Sequence, residues 1–378
     1  MKYLFQLFVM LFFLNSSFAQ QNCNDEIIMA VKGKWTKRSD ANMQAGNQSQ
    51  IISRLDKMQQ VVQAAYPEPR GIEAGWSRSM GGYYESLNKN SVAYDLNTMF
   101  FTWYCNSHVK KLLLGGEASN SLNIWANKFK WFASKDERFT IDSNPVYLLT
   151  KKMGGTNGFT VFEGNDNSSR NTGTTFSKTV LISRPGQLLY IPISRNNYLQ
   201  AFLKDKAETY KQLKEGFLKR KVRSDAEEQV YKNQQMEKEM NKPGNELAKE
   251  KAKSIFLRGY TTEKQRLQKD LNKAEEVYQK EIRAANDYLK NTSATELNKP
   301  AYVENTSYSY SFMKFGSENE GRMIVQVDNN YFNNKLPAYV PQFLVVYWYW
   351  NTEKPSLDFA GHIEKNLDFK LLQDMLDK

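Results

Sequence analysis

Cysteine and histidine are the scarcest reactive residues in this chain. There are two of each in 378 positions: Cys23, Cys105, His108 and His362. A zinc site needs three or four Cys, His, Asp or Glu ligands at constrained spacing, and so few residues supply no such cluster. A Ser-His-Asp hydrolase would have to use one of the two histidines, and no G-x-S-x-G elbow provides its serine. G-G-T-N-G-F at 154–159 is glycine-rich but lacks the G-K-[ST] of a phosphate loop, and it reads as a hairpin turn. G-N-D-N-S-S-R-N at 164–171 carries calcium-loop residues without the required glutamate, and it reads as a plain loop. No metal and no cofactor are expected.

Long apolar runs are also missing. The only one, Tyr3–Leu14, is about a dozen residues, short of the ~20 that span a bilayer. No transmembrane span is therefore expected. With Lys2 before it and Ser17-Phe18-Ala19 behind it, the run reads as an export signal cleaved after Ala19. The expected location is periplasmic or extracellular. The polar Gln20-Gln21-Asn22 ahead of Cys23 argues against lipid attachment there.

W-Y-C-N-S-H at 103–108 brings one cysteine and one histidine within three positions. On a continuous strand they face opposite ways. If Asn106-Ser107 is a two-residue hairpin loop, Cys105 and His108 become a cross-strand pair, as a thiol–imidazole dyad requires. An oxidising compartment and an even cysteine count favour a Cys23–Cys105 disulfide instead, with His108 as a neighbouring turn residue.

What is present in quantity is basic charge and aromatic surface. The 52 Lys+Arg exceed the 41 Asp+Glu, for a net charge of +11, and aromatics make up 13%. In an exported protein, basicity points to a protein partner or an anionic envelope component, a polysaccharide or lipid surface, and not to nucleic acid.

The pattern along the chain predicts an α+β fold: a mostly antiparallel sheet, helices near both termini, and a long coiled-coil-like helical hairpin inserted between. After the signal (1–19), residues 20–197 form the first part of the α+β domain. A helix over 48–65 is marked by Ile51, Leu55, Met58 and Val62 at gaps of three and four. A meander of aromatic and β-branched strands follows from Ser91. Residues 198–291 form the hairpin, with Ser194 as its N-cap and Lys242-Pro243-Gly244-Asn245 as its tip. Its base carries a heptad-like row, Leu199, Leu203, Tyr210, Leu213 and Phe217, answered by Leu267, Leu271, Ala274, Tyr278, Ala285 and Leu289. Lys206 and Glu281 occupy the gaps. Gly259 marks a kink in the return arm, with Thr261 or Thr262 as a second cap. The distal half, 219–258, is polar and is expected to be mobile or to need a partner. Residues 300–378 return to the α+β domain, with a central strand at 342–350 and a helix over Ile363–Leu376.

Three stretches stand out together: A-Y-P-E-P-R-G-I-E-A-G-W at 65–76, L-L-Y-I-P-I-S-R-N-N-Y-L at 188–199 and Y-V-P-Q-F-L-V-V-Y-W at 339–348. Their pattern resembles uncharacterised secreted or periplasmic proteins of Bacteroidota type. The resemblance covers these scattered segments, implies an envelope or extracellular location, and carries no activity or site residues.

Two functions follow. The first is a non-enzymatic binding protein. It engages its partner through the basic hairpin run Lys219, Arg220, Lys221 and Arg223, or through an aromatic face of the β domain carrying Trp103, Trp348 and Trp350. Such a face suits a sugar- or peptide-binding groove. The second is an envelope-glycan hydrolase using paired carboxylates, with Glu117, Asp142, Glu163 and Asp166 as the acidic residues on or near the sheet.

Overall fold

The computed structural model describes residues 24–43, 48–82, 85–106, 108, 111–129, 132–164, 175–304, 312 and 314–378, without side chains at 134–139. The expected export signal over 1–19, Cys23 and Asp166 lie outside these residues. The chain divides into two compact units, one of 1–136, 146–192 and 317–378, the other of 137–145 and 193–316. The fold is α+β and mostly antiparallel.

The first unit is built on a large sheet. Its main strands are β1 (Trp35–Lys37), β2 (Ile72–Gly82), β3 (Ala93–Asn106), β4 (Lys111–Leu114), β5 (Asn120–Ala126), β8 (Lys152–Thr156), β9 (Phe159–Glu163), β10 (Phe176–Ile182) and β14 (Leu344–Trp350). The spatial order is β1-β2-β3-β5-β14-β10-β9-β8, with β4 paired to the far end of β3. The expected meander is thus interrupted: β14, from the C-terminal part of the chain, inserts between β5 and β10. β14 pairs on both sides and is buried along nearly its whole length, so its V-V-Y-W-Y-W run is the central strand its two apolar faces imply. β1 runs parallel to β2, the exception in the sheet.

One face of the sheet is covered by helices. α1 spans Asp25–Ala30 and α2 Gln48–Ala65, the latter with the bounds its periodicity predicts. α8 (Lys354–Asn366) and α9 (Phe369–Gln373) replace the single C-terminal helix expected over 363–376. The helix starts earlier, at Lys354-Pro355, and breaks at Leu367, after which Asp368 caps α9 by accepting from the Leu371 amide. Ile51, Leu55, Met58, Leu96, Phe100, Ile124, Val346, Trp348, Phe359 and Ile363 form the core on this side. A second core lies on the opposite face. There Trp125, Val345 and Tyr347 pack with Phe132, Leu149, Phe162, Val325, Tyr331 and Phe343, beneath a small sheet that includes β11 (Tyr190–Pro192), β13 (Arg322–Val327) and β7 (Asn144–Leu149). Strand β6 spans Ala133–Ile141 and β12 Tyr302–Val303.

The second unit is mainly helical: α3 (Arg195–Leu218), α4 (Asp225–Met240), α5 (Glu246–Gly259) and α6 (Glu263–Asn291), then the short α7 (Ala294–Leu297). Ser194 caps α3, Asn245 caps α5 after the Pro-Gly break, and Thr262 opens α6 with a full capping box. The first arm is not the continuous helix its composition suggests. It breaks at 219–224 and restarts with a capping box of Ser224 and Glu227. Both breaks meet at one polar joint. Glu228 accepts from the Tyr260 hydroxyl at 2.5 Å and from the Glu263 amide at 3.3 Å, and Arg223 Nη1 reaches it at 3.3 Å. Those donors, Tyr260 first, hold the Glu228 carboxyl below the usual carboxylate range.

Below the joint, α3 and α6 pack through a stacked Tyr210–Tyr278 pair at 4.5 Å and bury Tyr198, Leu199, Phe202 and Ala285. Beyond it, α4 and α5 together bury only Glu228. A helix pair without an apolar seam draws little stability from packing. Amides of α4 and α5 should therefore exchange with deuterium at least 100-fold faster than those of α3 and α6. Equal protection along both pairs would contradict this.

Candidate functional site

The sheet face opposite the α2 and α8 core is only partly covered. Its open portion is a groove of about 640 Å³. The strand register explains the floor. On β3, Tyr94, Leu96 and Phe100 turn to the helices, so Asp95, Asn97, Met99 and Phe101 turn to the groove. On β5, Leu122 and Ile124 go to the core, while Ser121, Asn123 and Trp125 line the groove. Asn97 and Asn123 are direct cross-strand partners, as are Met99 and Ser121, and Ser121 is followed on β14 by Tyr349. Two carboxamides and a hydroxyl thus sit side by side, flanked by aromatic rings. The Asn123 amide donates to Ser121 Oγ at 3.2 Å.

One wall is Arg38, at the end of β1. Its backbone amide donates to the Trp76 carbonyl at 2.7 Å. Its guanidinium lies 4.1 Å from the Phe101 ring centroid. Gly75 permits this: a Cβ built there would lie 2.3 Å from Arg38 Nε. The loop after Arg38 is held by Asp40, which accepts from Arg78 Nε at 3.0 Å and Nη2 at 2.5 Å. Arg78 Nη1 also donates to Asp56 of α2 at 2.9 Å. Hydrogen bonding from Arg78 holds the Asp40 carboxyl below the usual range. A depressed carboxylate contributes stability above its unfolded pKa, near 3.9, and loses it as pH falls through the folded value. Urea midpoints should therefore fall between pH 5 and pH 3 by more in the native protein than in Arg78→Met. An identical fall in both would exclude this role for the pair.

The other wall is the β4–β5 turn, which presents Gly116, Glu117 and Ala118. It is tied to β3 through Gly115 N to the Thr102 carbonyl at 2.9 Å and Ser119 N to the Phe100 carbonyl at 3.1 Å. Among the described residues, Arg38, Asn97 and Glu117 use none of their side-chain donors or acceptors in a hydrogen bond or ion pair, so three polar groups converge on the groove unengaged.

The residues singled out from sequence are scattered. Trp348 is fully buried in the helix-side core, and Trp350 is 8% exposed beside it, stacked on Phe176. Both have the wrong parity on β14, and it is Tyr349 between them that reaches the groove. Trp103 is half-buried and follows Phe101 at the two-residue spacing of the groove face, where β3 has left the main sheet to pair with β4. Lys219, Arg220 and Lys221 lie in the α3–α4 break and not along a helix face, and Arg220 rests over Phe217. Arg223 is engaged in the joint, its guanidinium 3.8 Å from the Tyr231 ring centroid. Of the carboxylates, Glu117 lines the groove, with Asp95 on the floor. Asp142 sits in a left-handed turn, and Glu163 pairs in register with Lys178.

Cys105 is opposite Leu112, and the β3–β4 hairpin closes between Asn106 and Lys111. The two-residue turn that would oppose Cys105 to His108 is therefore absent. His108 lies in the longer loop, its amide donating to Asn106 Oδ1 at 3.0 Å. His362 packs on Tyr66 at 4.8 Å in α8, away from any groove-lining residue. Whether Cys105 joins Cys23 falls outside the described residues. Among the described residues no helix is long and apolar enough to cross a membrane.

The alternation that builds the floor was visible in sequence as Y-D-L-N and S-L-N-I. In both stretches polar residues occupy every second position. Searches against family models, curated proteins and solved structures found no match.

Proposed function

We propose that this is an exported, non-enzymatic binding protein that holds a polar ligand in the groove between Arg38 and Glu117. The observation that supports this most is the convergence of unengaged polar side chains on an aromatic-flanked concavity of ordinary ligand-site size. The floor strands β3, β5 and β14 are each paired on both sides, which favours binding with little reorganisation. Export rests on the N-terminal signal pattern.

The test is a ligand screen read by tryptophan fluorescence and by the side-chain amide resonances of Asn97 and Asn123. A ligand should shift these signals, and the fluorescence change should disappear in Asn97→Leu/Asn123→Leu. A ligand whose binding survives that double change does not use the groove.

A second reading has one observation in its favour: Asp95 and Glu117 line the same groove. Carboxylates flanking a bound glycan are the machinery of glycoside hydrolysis. Release of reducing ends that stops in Glu117→Gln would support it, whereas binding without turnover supports the first reading.

A further inference from the structure

We infer that the groove ligand is a saccharide, a short segment of an uncharged glycan chain; this rests on the proposed binding role of the groove. The floor identifies the class. A carboxamide both donates and accepts, as does a hydroxyl, and the Asn97–Asn123 pair therefore matches the adjacent hydroxyls of a sugar ring. An aromatic side chain with a polar tip suits a molecule with an apolar C–H face and a hydroxyl rim, and Tyr349 stands one strand away from that pair.

The walls narrow the class further. Arg38 supplies a planar set of N–H donors, already held over the Phe101 ring and without a carboxylate partner among the described residues. Glu117 supplies an acceptor on the opposite side. A polyanion would meet the Glu117 carboxylate on the wall across from Arg38, and that like charge opposes its binding. A lipid or other apolar ligand would leave the Arg38, Asn97 and Glu117 side chains desolvated without partners, which is costly. The floor crosses three adjacent strands, β3, β5 and β14, so the site takes a chain and not a single ring.

The experiment uses the full exported chain and three probe sets: neutral oligosaccharides of two to six residues, short uncharged peptides, and a sulfated polysaccharide. Binding is read by calorimetry and by the Asn97 and Asn123 side-chain resonances. Neutral oligosaccharides should bind, with affinity rising from two residues to three or four. Gly75→Ala should weaken binding about 10-fold or more, because its methyl group lifts Arg38 from the floor; only a flexible side chain has to move. Urea unfolding of Gly75→Ala checks that the fold is kept. Asn123→Leu should weaken binding at least as much.

Peptides that shift the groove resonances where oligosaccharides do not would overturn the saccharide assignment and leave the groove's binding role standing. If only the sulfated polysaccharide binds, and the groove resonances do not move, both readings fail and the basic helical unit becomes the binding surface.

Discussion

Replacing Asn127 with leucine should cost the first unit about 3–5 kcal/mol, by orphaning buried backbone groups and forcing a branched side chain into a left-handed conformation. Asn127 is 1% exposed and has a φ of 60°. Its side-chain amide donates to the carbonyls of Val92 at 3.1 Å and Val340 at 3.3 Å, and its Oδ1 accepts from the Gln342 amide at 2.8 Å. One side chain thus closes the end of β5, the entry to β3 and the entry to β14. Asn127→Gly separates the two contributions: it relieves the backbone and loses only the hydrogen bonds, so its cost should be about 2 kcal/mol. Urea unfolding followed by tryptophan fluorescence measures both. A leucine variant within 1 kcal/mol of the native protein would show that the hub does not hold the strands together.

Gln342 extends the same hub. Its side chain accepts from the Asn333 amide at 2.7 Å and from Arg184 Nη2 at 3.1 Å, and Arg184 Nη2 also donates to Asp377 Oδ1 at 2.9 Å near the C-terminus. The Y-V-P-Q-F segment that stands out in the sequence therefore does its work as a buried polar junction, and its neighbours on β14 form the sheet's centre. Its aromatic residues follow from that position. A strand covered on both sides must be apolar on both sides, so Trp348 and Trp350 report burial and not recognition.

Elements whose signal is local were legible. α2 carries an uninterrupted stripe from Ile51, and its C-terminal end falls where the stripe stops, at Ala65. The capping residues Ser194 and Thr262 and the Pro-Gly break were readable because each acts within a few residues. β2 was missed because Gly75, Gly81 and Gly82 interrupt its alternation; at position 75 the glycine makes room for Arg38 and adds nothing to the strand signal. The break at 219–224 was also missed: S-D-A-E carries a capping box, but the dense basic run before it reads as more helix. The groove was illegible as a unit because its walls come from segments nearly eighty residues apart, Arg38 and Glu117, and its floor adds a residue from the C-terminal part of the chain, Tyr349. Only register joins them.

The pairing of Lys206 with Glu281 offers the second large effect. Both residues occupy heptad positions where an apolar side chain is expected, and each alone looks like a flaw in the seam. Together they form an ion pair at 2.7 Å, with the Lys206 and Glu281 side chains only 16% and 9% exposed. It sits one helical turn from the Tyr210–Tyr278 stack. An apolar seam tolerates sliding by a turn, whereas a charge in the seam does not, because any other alignment buries it unpaired. The pair therefore sets the register of α3 against α6. Lys206→Met leaves the Glu281 carboxylate facing an apolar seam and should cost the second unit about 2–3 kcal/mol, a little under the range for fully buried pairs. Glu281→Met should cost a similar amount. The double change to methionine should recover most of the loss, since two apolar residues pack where two charges were. Exchanging the charges, Lys206→Glu with Glu281→Lys, should restore the register as well. Hydrogen exchange of the α3 and α6 amides measures each variant within its own unit, independently of how the sheet unfolds. Additive losses in the double methionine variant would mean that the two charges act separately, and that the alignment of the helices is set by the tyrosine stack and the apolar rows alone.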